Sequence, residues 1–459
     1  MAQVDRVAII GAGPAGLATA RALRIAGVPF TIFERHSDVG GIWDTENPGT
    51  PMYASAHFIS SRTMSGHEGF PMPESYPDYP SNRQIVDYIR DFADCFDLHR
   101  DIRLSTSVDR VENTADGWKV KTTCVGETTD HVFRWLVCAN GTNWEPNTPE
   151  LPGQNSFTGT IQHAVTYKNS ASLRDARVLV VGAGNSGVDI ACDAAFASQQ
   201  AYISMRRGYH FVPKHIFGMP ADVFAATSKW MPMWMSQRSL GWVLRLLTGD
   251  LTRLGLQKPD HRPLESHPIL NSQILHYLQH GDLIAKPDIA RLSGDEVIFA
   301  DGTCAVIDRI ILATGYNWSL PYLDDDLFDW RNNRPQAYLK MFNPKHPTLF
   351  LNGFIETNSG IYKLLDEMGM LIAQTIRAQR AGGTEVQAVQ SYIERPAPVL
   401  GGKVKYVNSA RHTGYTNVDA YTAKMAEMRK HLHWDAPATF FARLPARPAD
   451  KANPNRIAA

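Results

Sequence analysis

Two short glycine loops of one pattern constrain this chain more than anything else in it: Gly11-Ala12-Gly13-Pro14-Ala15-Gly16 and Gly182-Ala183-Gly184-Asn185-Ser186-Gly187. Each follows an apolar run, Val7-Ala8-Ile9-Ile10 in the first case and Val178-Leu179-Val180-Val181 in the second, and each opens an Ala-rich helical stretch. In such a loop the first glycine makes the tight turn, the second lets the backbone reach a pyrophosphate, and the third packs the helix on its strand. The helix N-terminus then offers free N–H groups and its positive dipole end to the phosphates. The expected fold is therefore α/β, with two Rossmann-like dinucleotide-binding domains.

The two copies differ where they would meet the adenosine ribose. The first reaches a second strand, Phe30-Thr31-Ile32-Phe33, that ends in Glu34 and Arg35. An acid about 20 residues beyond the glycines suits a ribose hydroxyl pair. The second reaches Ala201-Tyr202-Ile203-Ser204 and ends in Met205-Arg206-Arg207. Cations there attract a 2′-phosphate and leave no acceptor for a free 2′-hydroxyl. The first site is thus expected to hold FAD or NAD, and the second NADPH.

Composition narrows the class. With 459 residues, 44% of them apolar and 20% charged, the chain has material for two to three domains with real cores. Lys plus Arg equals Asp plus Glu at 46 each, so no global field points to nucleic acid. The N-terminus enters its first strand without a basic region and a long apolar stretch, and no apolar run is long enough to span a bilayer. The expected location is the cytoplasm. The five cysteines form no Cys-x-x-Cys pair, which argues against a dithiol relay of the thioredoxin-reductase kind, and most are expected to be small buried hydrophobes. His276 and His280 lack the intervening acid and third ligand of a zinc helix, so they are read as helix-surface residues and no metal is expected.

Further order lies between the loops. Gly40-Gly41-Ile42-Trp43 combines glycines that permit close backbone approach with a flat indole wall. Alternation at Ile102 to Val108, Trp118 to Thr122 and Trp135 to Ala139 predicts a β-meander on the first domain. The Pro-rich crossing Trp144 to Gly153 marks the exit to the second domain, and Asp308 to Tyr316, ending in Ala313-Thr314-Gly315, marks the return. The expected domains are residues 1–150 and 310–445 for a discontinuous FAD domain, and 151–309 for an inserted NADPH domain with a helical insertion near 209–270. Residues 446–459 read as a flexible tail. The Met-, Trp- and Leu-rich stretch Trp230 to Leu247 is expected to be a core-facing helix of that insertion with some role at a substrate entrance, a membrane surface being the alternative.

These residues resemble the class B flavin-dependent monooxygenases, and the flavin-containing monooxygenase branch in particular. Phe157, Gly159, His163 and Tyr167 fit that branch's F-x-G-x-x-x-H-x-x-x-Y signature, whereas the related Baeyer-Villiger monooxygenases usually carry Trp where Tyr167 stands. Matches at Phe70-Pro71-Met72-Pro73-Glu74, Gly184 to Ala191 and Ala313 to Tyr316 keep the family's order, and the stretch from about Ala381 onward matches less well.

The resemblance implies that FAD sits on Gly11, Gly13, Pro14, Ala15, Gly16, Glu34, Arg35, Gly41, Ile42, Trp43, Ser60 and Val108, and NADPH on Gly182, Gly184, Asn185, Ser186, Gly187, Arg206 and Arg207, with Thr314 and Gly315 between them. It implies that NADPH reduces FAD and that a flavin hydroperoxide then oxygenates nitrogen or sulfur atoms of small molecules. Baeyer-Villiger oxidation of ketones and an uncoupled NADPH oxidase are the alternatives. The protein's task in such a cycle is placement and desolvation, and no catalytic acid or base is assigned. One departure stands out: where the family carries an Asn near the oxygen site, this chain carries Ile59, followed by Ser60 and Ser61, and Ser60 is the expected replacement contact. His163 is read as satisfying a hydrogen bond at the domain junction. Asn358-Ser359-Gly360 is read as aiming a helix N-terminus at the flavin. Partners are O2 and a small-molecule substrate, and the oligomeric state is left open, a homodimer included.

Overall fold

The computed structural model describes residues 5–227, 230–409 and 414–445; the expected tail at 446–459 lies outside them. Each glycine loop follows the middle strand of a five-stranded parallel sheet. The first sheet runs in the order Leu349–Leu351, Trp135–Cys138, Val7–Ile10, Phe30–Phe33, Ile102–Arg103. The second runs Leu283–Lys286, Gln200–Ser204, Arg177–Val181, Arg309–Leu312, Thr160–His163. Val7–Ile10 and Val178 to Val181 are buried along their whole length, as central parallel strands covered on both faces must be. In both sheets the next strand in the chain lies on one side of the middle strand and a much later one on the other. That arrangement is a topological switch point, where a crevice opens beyond the strands' carboxyl ends.

Helices cover the sheets. Pro14–Ile25 has Pro at its first position, where a missing N–H costs nothing, and packs on the long helix Tyr362–Ala381. Gly369 permits that approach: a Cβ there would lie 3.0 Å from Thr19 Cα. Among the described residues no helix is long and apolar enough to cross a membrane.

Several expectations are corrected. The meander consists of Thr106–Thr114, Gly117–Cys124 and Glu127–Phe133. Trp135–Cys138 belongs instead to the first parallel sheet, because its four consecutive buried residues suit a strand covered on both faces rather than an alternating one. The predicted strand from Ile102 to Val108 is broken at Ser105, whose φ of 51° turns the chain out of the parallel sheet and into the meander. Arg309–Leu312, which the expected boundary between residues 309 and 310 would divide, lies whole inside the second sheet between Arg177–Val181 and Thr160–His163. The crossings are joined farther along, where Tyr316–Asn317 pairs antiparallel with Glu145–Pro146.

Cys138 and Cys192 are buried, but Cys95 is half-buried and Cys124 and Cys304 are exposed, so burial is not the rule for these five. The helix Met233–Thr248 faces a small separate cluster rather than a main core, and only Gln237 and Leu244 are buried in it. His276 and His280 lie exposed on the helix Gln273–His280.

Candidate active site

The two cradles agree at the level of single atoms. Gly11 has φ +103°, and a Cβ there would meet Ala139 O at 2.7 Å; Gly182 has φ +106°, and its Cβ would meet Ala313 O at 2.6 Å. A Cβ at Gly16 would lie 1.9 Å from Gly11 O, and one at Gly187 2.1 Å from Gly182 O. Ala139 and Ala313 follow Trp135–Cys138 and Arg309–Leu312, so the strands that mirror each other in sequence play the same part, each flanking the middle strand of its own sheet. In the first cradle Gly41 comes so close that its Cβ would lie 3.0 Å from Gly13 Cα. Bare backbone at the start of a helix of 12 residues (Pro14–Ile25) and one of 13 (Asn185–Ala197) fits a pyrophosphate in both places.

Glu34 is 5% exposed. Its Oε2 accepts the Ala12 N–H at 2.7 Å and its Oε1 the His36 N–H at 2.9 Å. Burial raises the pKa of this carboxyl while the two backbone donors hold it down. The acid is thus held at the mouth of the loop with lone pairs left for a ribose diol. Arg35 is exposed and lies over the Trp144 ring at 4.2 Å. Val108 is half-buried at a bulge in the meander, and Thr106, two residues earlier, donates its N–H to Glu34 O at 2.8 Å. At the end of Gln200–Ser204, Arg206 is exposed, and Arg207 is half-buried over the Tyr209 ring at 5.6 Å.

Thr314 and Gly315 lace the two crossings together. The Thr314 hydroxyl donates to Asn147 O at 2.6 Å, and Asn147 N–H donates to Gly315 O at 3.0 Å. His163 joins them: its Nδ1 accepts the Val165 N–H at 3.1 Å, so the proton sits on Nε2, which donates to Gly315 O at 3.0 Å. Burial lowers the pKa of this imidazole, and the bond to Gly315 only partly opposes it.

A third group gathers at the start of the long helix. Gly41–Trp43 forms one 3-10 turn; Trp43 lies 5.2 Å from the Phe58 ring, and Phe58 5.6 Å from the Tyr362 ring. Gly360 admits the short helix Arg62–Ser65, since a Cβ there would lie 2.9 Å from Ser65 Oγ. Ile59 and Ser60 are half-buried, whereas Ser61 is fully buried with no hydrogen-bond partner for its hydroxyl. A buried hydroxyl of this kind costs about 1–3 kcal/mol unless something pairs it. Of the two adjacent serines, only Ser60 keeps surface open to a bound group, whereas Ser61 is sealed inside the protein.

Two arrangements carried little or no sequence signal. Thr50 to Ala56 leaves the first unit and docks on the second: Tyr53 donates to Asp189 Oδ2 at 3.1 Å, and Ser55 and Tyr167 both donate to Asp193 Oδ2, at 2.6 and 2.7 Å. Tyr53 and Ala56 are members of the second unit's core. Burial raises the pKa of Asp189, against donors that include Asn271 at 2.8 Å.

The other arrangement is a chain of hydrogen bonds from the second cradle to the segment that precedes the long helix Tyr362–Ala381. Asn185, the first residue of its helix, fixes its amide by accepting the Leu270 N–H on Oδ1 at 3.2 Å, and its Nδ2 lies 3.1 Å from His267 Nε2. His267 Nδ1 lies 2.5 Å from Tyr415 Oη, and Tyr415 donates to Thr357 O at 2.6 Å, just before Asn358-Ser359-Gly360. Donor order then puts the His267 proton on Nδ1. A cleft of about 470 Å³ lined by Glu150, Gln162, His163 and Leu312 lies along the edge strand Thr160–His163.

Comparison with known proteins agrees with this geometry. The family model described as flavin-binding monooxygenase-like matches residues 4–423. A probable indole-3-pyruvate monooxygenase of Arabidopsis thaliana, YUCCA9, is 33% identical over 343 residues, covering 73% of this chain and 80% of its own. Human flavin-containing monooxygenase 5 is 30% identical over 434 residues, covering 89% and 79%. Among solved structures, S-allyl-L-cysteine S-oxygenase from Allium sativum superposes with a TM-score of 0.65 at 21% identity, covering 96% of this chain and 92% of that one. A cyclohexanone monooxygenase superposes with a TM-score of 0.66 at 18% identity, covering 93% and 98%, and these two likenesses speak to the fold. The chain belongs to the flavin-binding monooxygenase-like family and is an FAD-containing, NADPH-dependent monooxygenase.

Proposed function

We propose that this enzyme oxygenates soft nucleophilic nitrogen or sulfur atoms of small molecules, with FAD on the Gly11 to Gly16 cradle and NADPH on the Gly182 to Gly187 cradle. The observation that carries the cofactor assignment is the pair of matching cradles with opposite ends, a buried Glu34 at the first and Arg206 with Arg207 at the second. Residues 5–150 with the chain beyond Ala313 then form the FAD body, and 151–313 the NADPH body. When bound, the flavin takes reducing equivalents from NADPH and supplies oxygen derived from O2.

The chain's own residues bind and position. Glu34 holds the ribose, Trp43 walls the ring site, and the half-buried Ser60 is the hydroxyl offered to it. His163 and Thr314 hold the crossings. Tyr167, where the ketone-oxidising relatives usually carry Trp, supports the nitrogen and sulfur reading as a family signature, and its buried hydroxyl is bound to Asp193. We place the enzyme in the cytoplasm, with a homodimer as the assembly to test by light scattering.

The deciding experiment supplies a thioether, a tertiary amine and a cyclic ketone with NADPH in air and measures product and free peroxide per NADPH consumed. Sulfoxide or N-oxide as the main product supports the reading. Lactone from the ketone alone overturns it, as does peroxide equal to NADPH with no oxygenated product.

A further inference from the structure

We propose that the outward face of the helix Met233–Thr248 docks on an anionic lipid surface. The inner side of this 16-residue helix is accounted for: Leu240, Val243 and Leu244 pack with Val212, Ile216 and Ala221 in a small cluster apart from the main cores. The outer side carries Trp234, Arg238, Trp242, Arg245 and Leu246, whose spacing places them on one helical face. Trp234 is 61% exposed, Trp242 64% and Leu246 78%. Trp230, just before the helix, is 79% exposed, and Phe217, on the hairpin that packs against the same cluster, is 73% exposed. Apolar surface concentrated in this way on one element marks an interaction face.

The residue types select the occupant. Indole rings are amphipathic and settle at the headgroup level of a bilayer, and guanidinium groups pair with phosphate oxygens in a fork. A helix with Trp and Leu set among arginines is the pattern of an interfacial helix. Charge agrees. Residues 233–249 contain no acid. The carboxylates at either end are turned to the protein's own backbone, Asp222 accepting the Ser61 and Val223 N–H groups and Asp250 the Thr252 N–H. A second copy related by a two-fold axis would set Arg238 and Arg245 against the same cations, with no carboxylate on the face to pair them. A phosphate-rich surface meets both the rings and the charges.

The test uses the full-length, FAD-loaded enzyme and sedimentation with vesicles of phosphatidylcholine alone or mixed equally with phosphatidylglycerol. The wild type should pellet with the mixed vesicles, far less with phosphatidylcholine, and release as salt is raised. The double variant Trp234→Ser, Trp242→Ser should lose at least about tenfold in partitioning while keeping its melting temperature. Arg238→Glu with Arg245→Glu should abolish the preference for anionic vesicles. The proposal is overturned if the wild type stays in the supernatant with both vesicle types, or if neither variant changes its partitioning. A concentration-dependent dimer lost in the tryptophan variant, with no vesicle binding, also overturns it and gives the face to a second copy.

Discussion

At Gly16 and Gly187 one added methyl group is expected to disable one cradle and leave the other intact. The atom each Cβ would strike is a carbonyl oxygen of the same loop, at 1.9 and 2.1 Å, so no side-chain movement relieves the clash. Gly16→Ala is expected to purify without the flavin spectrum. Gly187→Ala should keep the spectrum and lose affinity for NADPH, as read by absorbance and by coenzyme titration. Arg206→Ala should weaken NADPH by about 2 kcal/mol, the worth of a charge-assisted hydrogen bond, and NADH far less. Equal loss for both coenzymes would remove the 2′-phosphate assignment. These residues were legible because loop glycines and strand-end charges follow local rules. The different burial of Ser60 and Ser61 was not legible, since it depends on what packs against Arg62–Ser65.

At the scale of elements, the helix Asn185–Ala197 is tied to the first unit through Asp193, which accepts from Ser55 and Tyr167 together. Tyr167→Phe should cost about 1–2 kcal/mol in urea unfolding. Because both donors share one carboxylate oxygen, Ser55→Ala combined with Tyr167→Phe should depart from additivity, and strict additivity would mean that the carboxylate does not couple them.

The strand Thr160–His163 carries a pH dependence. Burial depresses the His163 pKa, so the unfolded chain binds the proton more readily than the folded one. Its contribution to stability is complete above the unfolded value of about 6.5 and is lost as pH falls toward the folded value. Melting temperatures of His163→Gln and wild type, measured from pH 8 down to pH 5, should therefore converge on acidification, the variant falling less steeply. Parallel curves would rule out this contribution.

Across the whole molecule the chain Asn185, His267, Tyr415, Thr357 joins the second cradle to the segment before the long helix through residues far apart in sequence. Tyr415→Phe keeps the ring and removes the bond to Thr357. If the chain aligns the two sites, the variant should bind NADP more weakly and slow anaerobic flavin reduction by NADPH. A change in melting temperature alone would reduce the chain to a structural tie. No motif pointed to His267 or Tyr415, because neither belongs to a loop whose spacing carries chemistry.

The sequence by itself determined that two nucleotide units of one design stand in one chain, and which end of each carries an acid or cations. Those properties follow from turn chemistry and short-range apolar pattern, which act within about 30 residues. Only the tertiary structure decided that Trp135–Cys138 and Arg309–Leu312 are interior strands of the two sheets, that Met233–Thr248 turns its tryptophans outward, and that Ser61 is buried while Ser60 is half open. An apolar run reads alike whichever strands flank it, and an apolar stripe on a helix does not state which side is covered. Both are settled by neighbours brought together from distant parts of the chain.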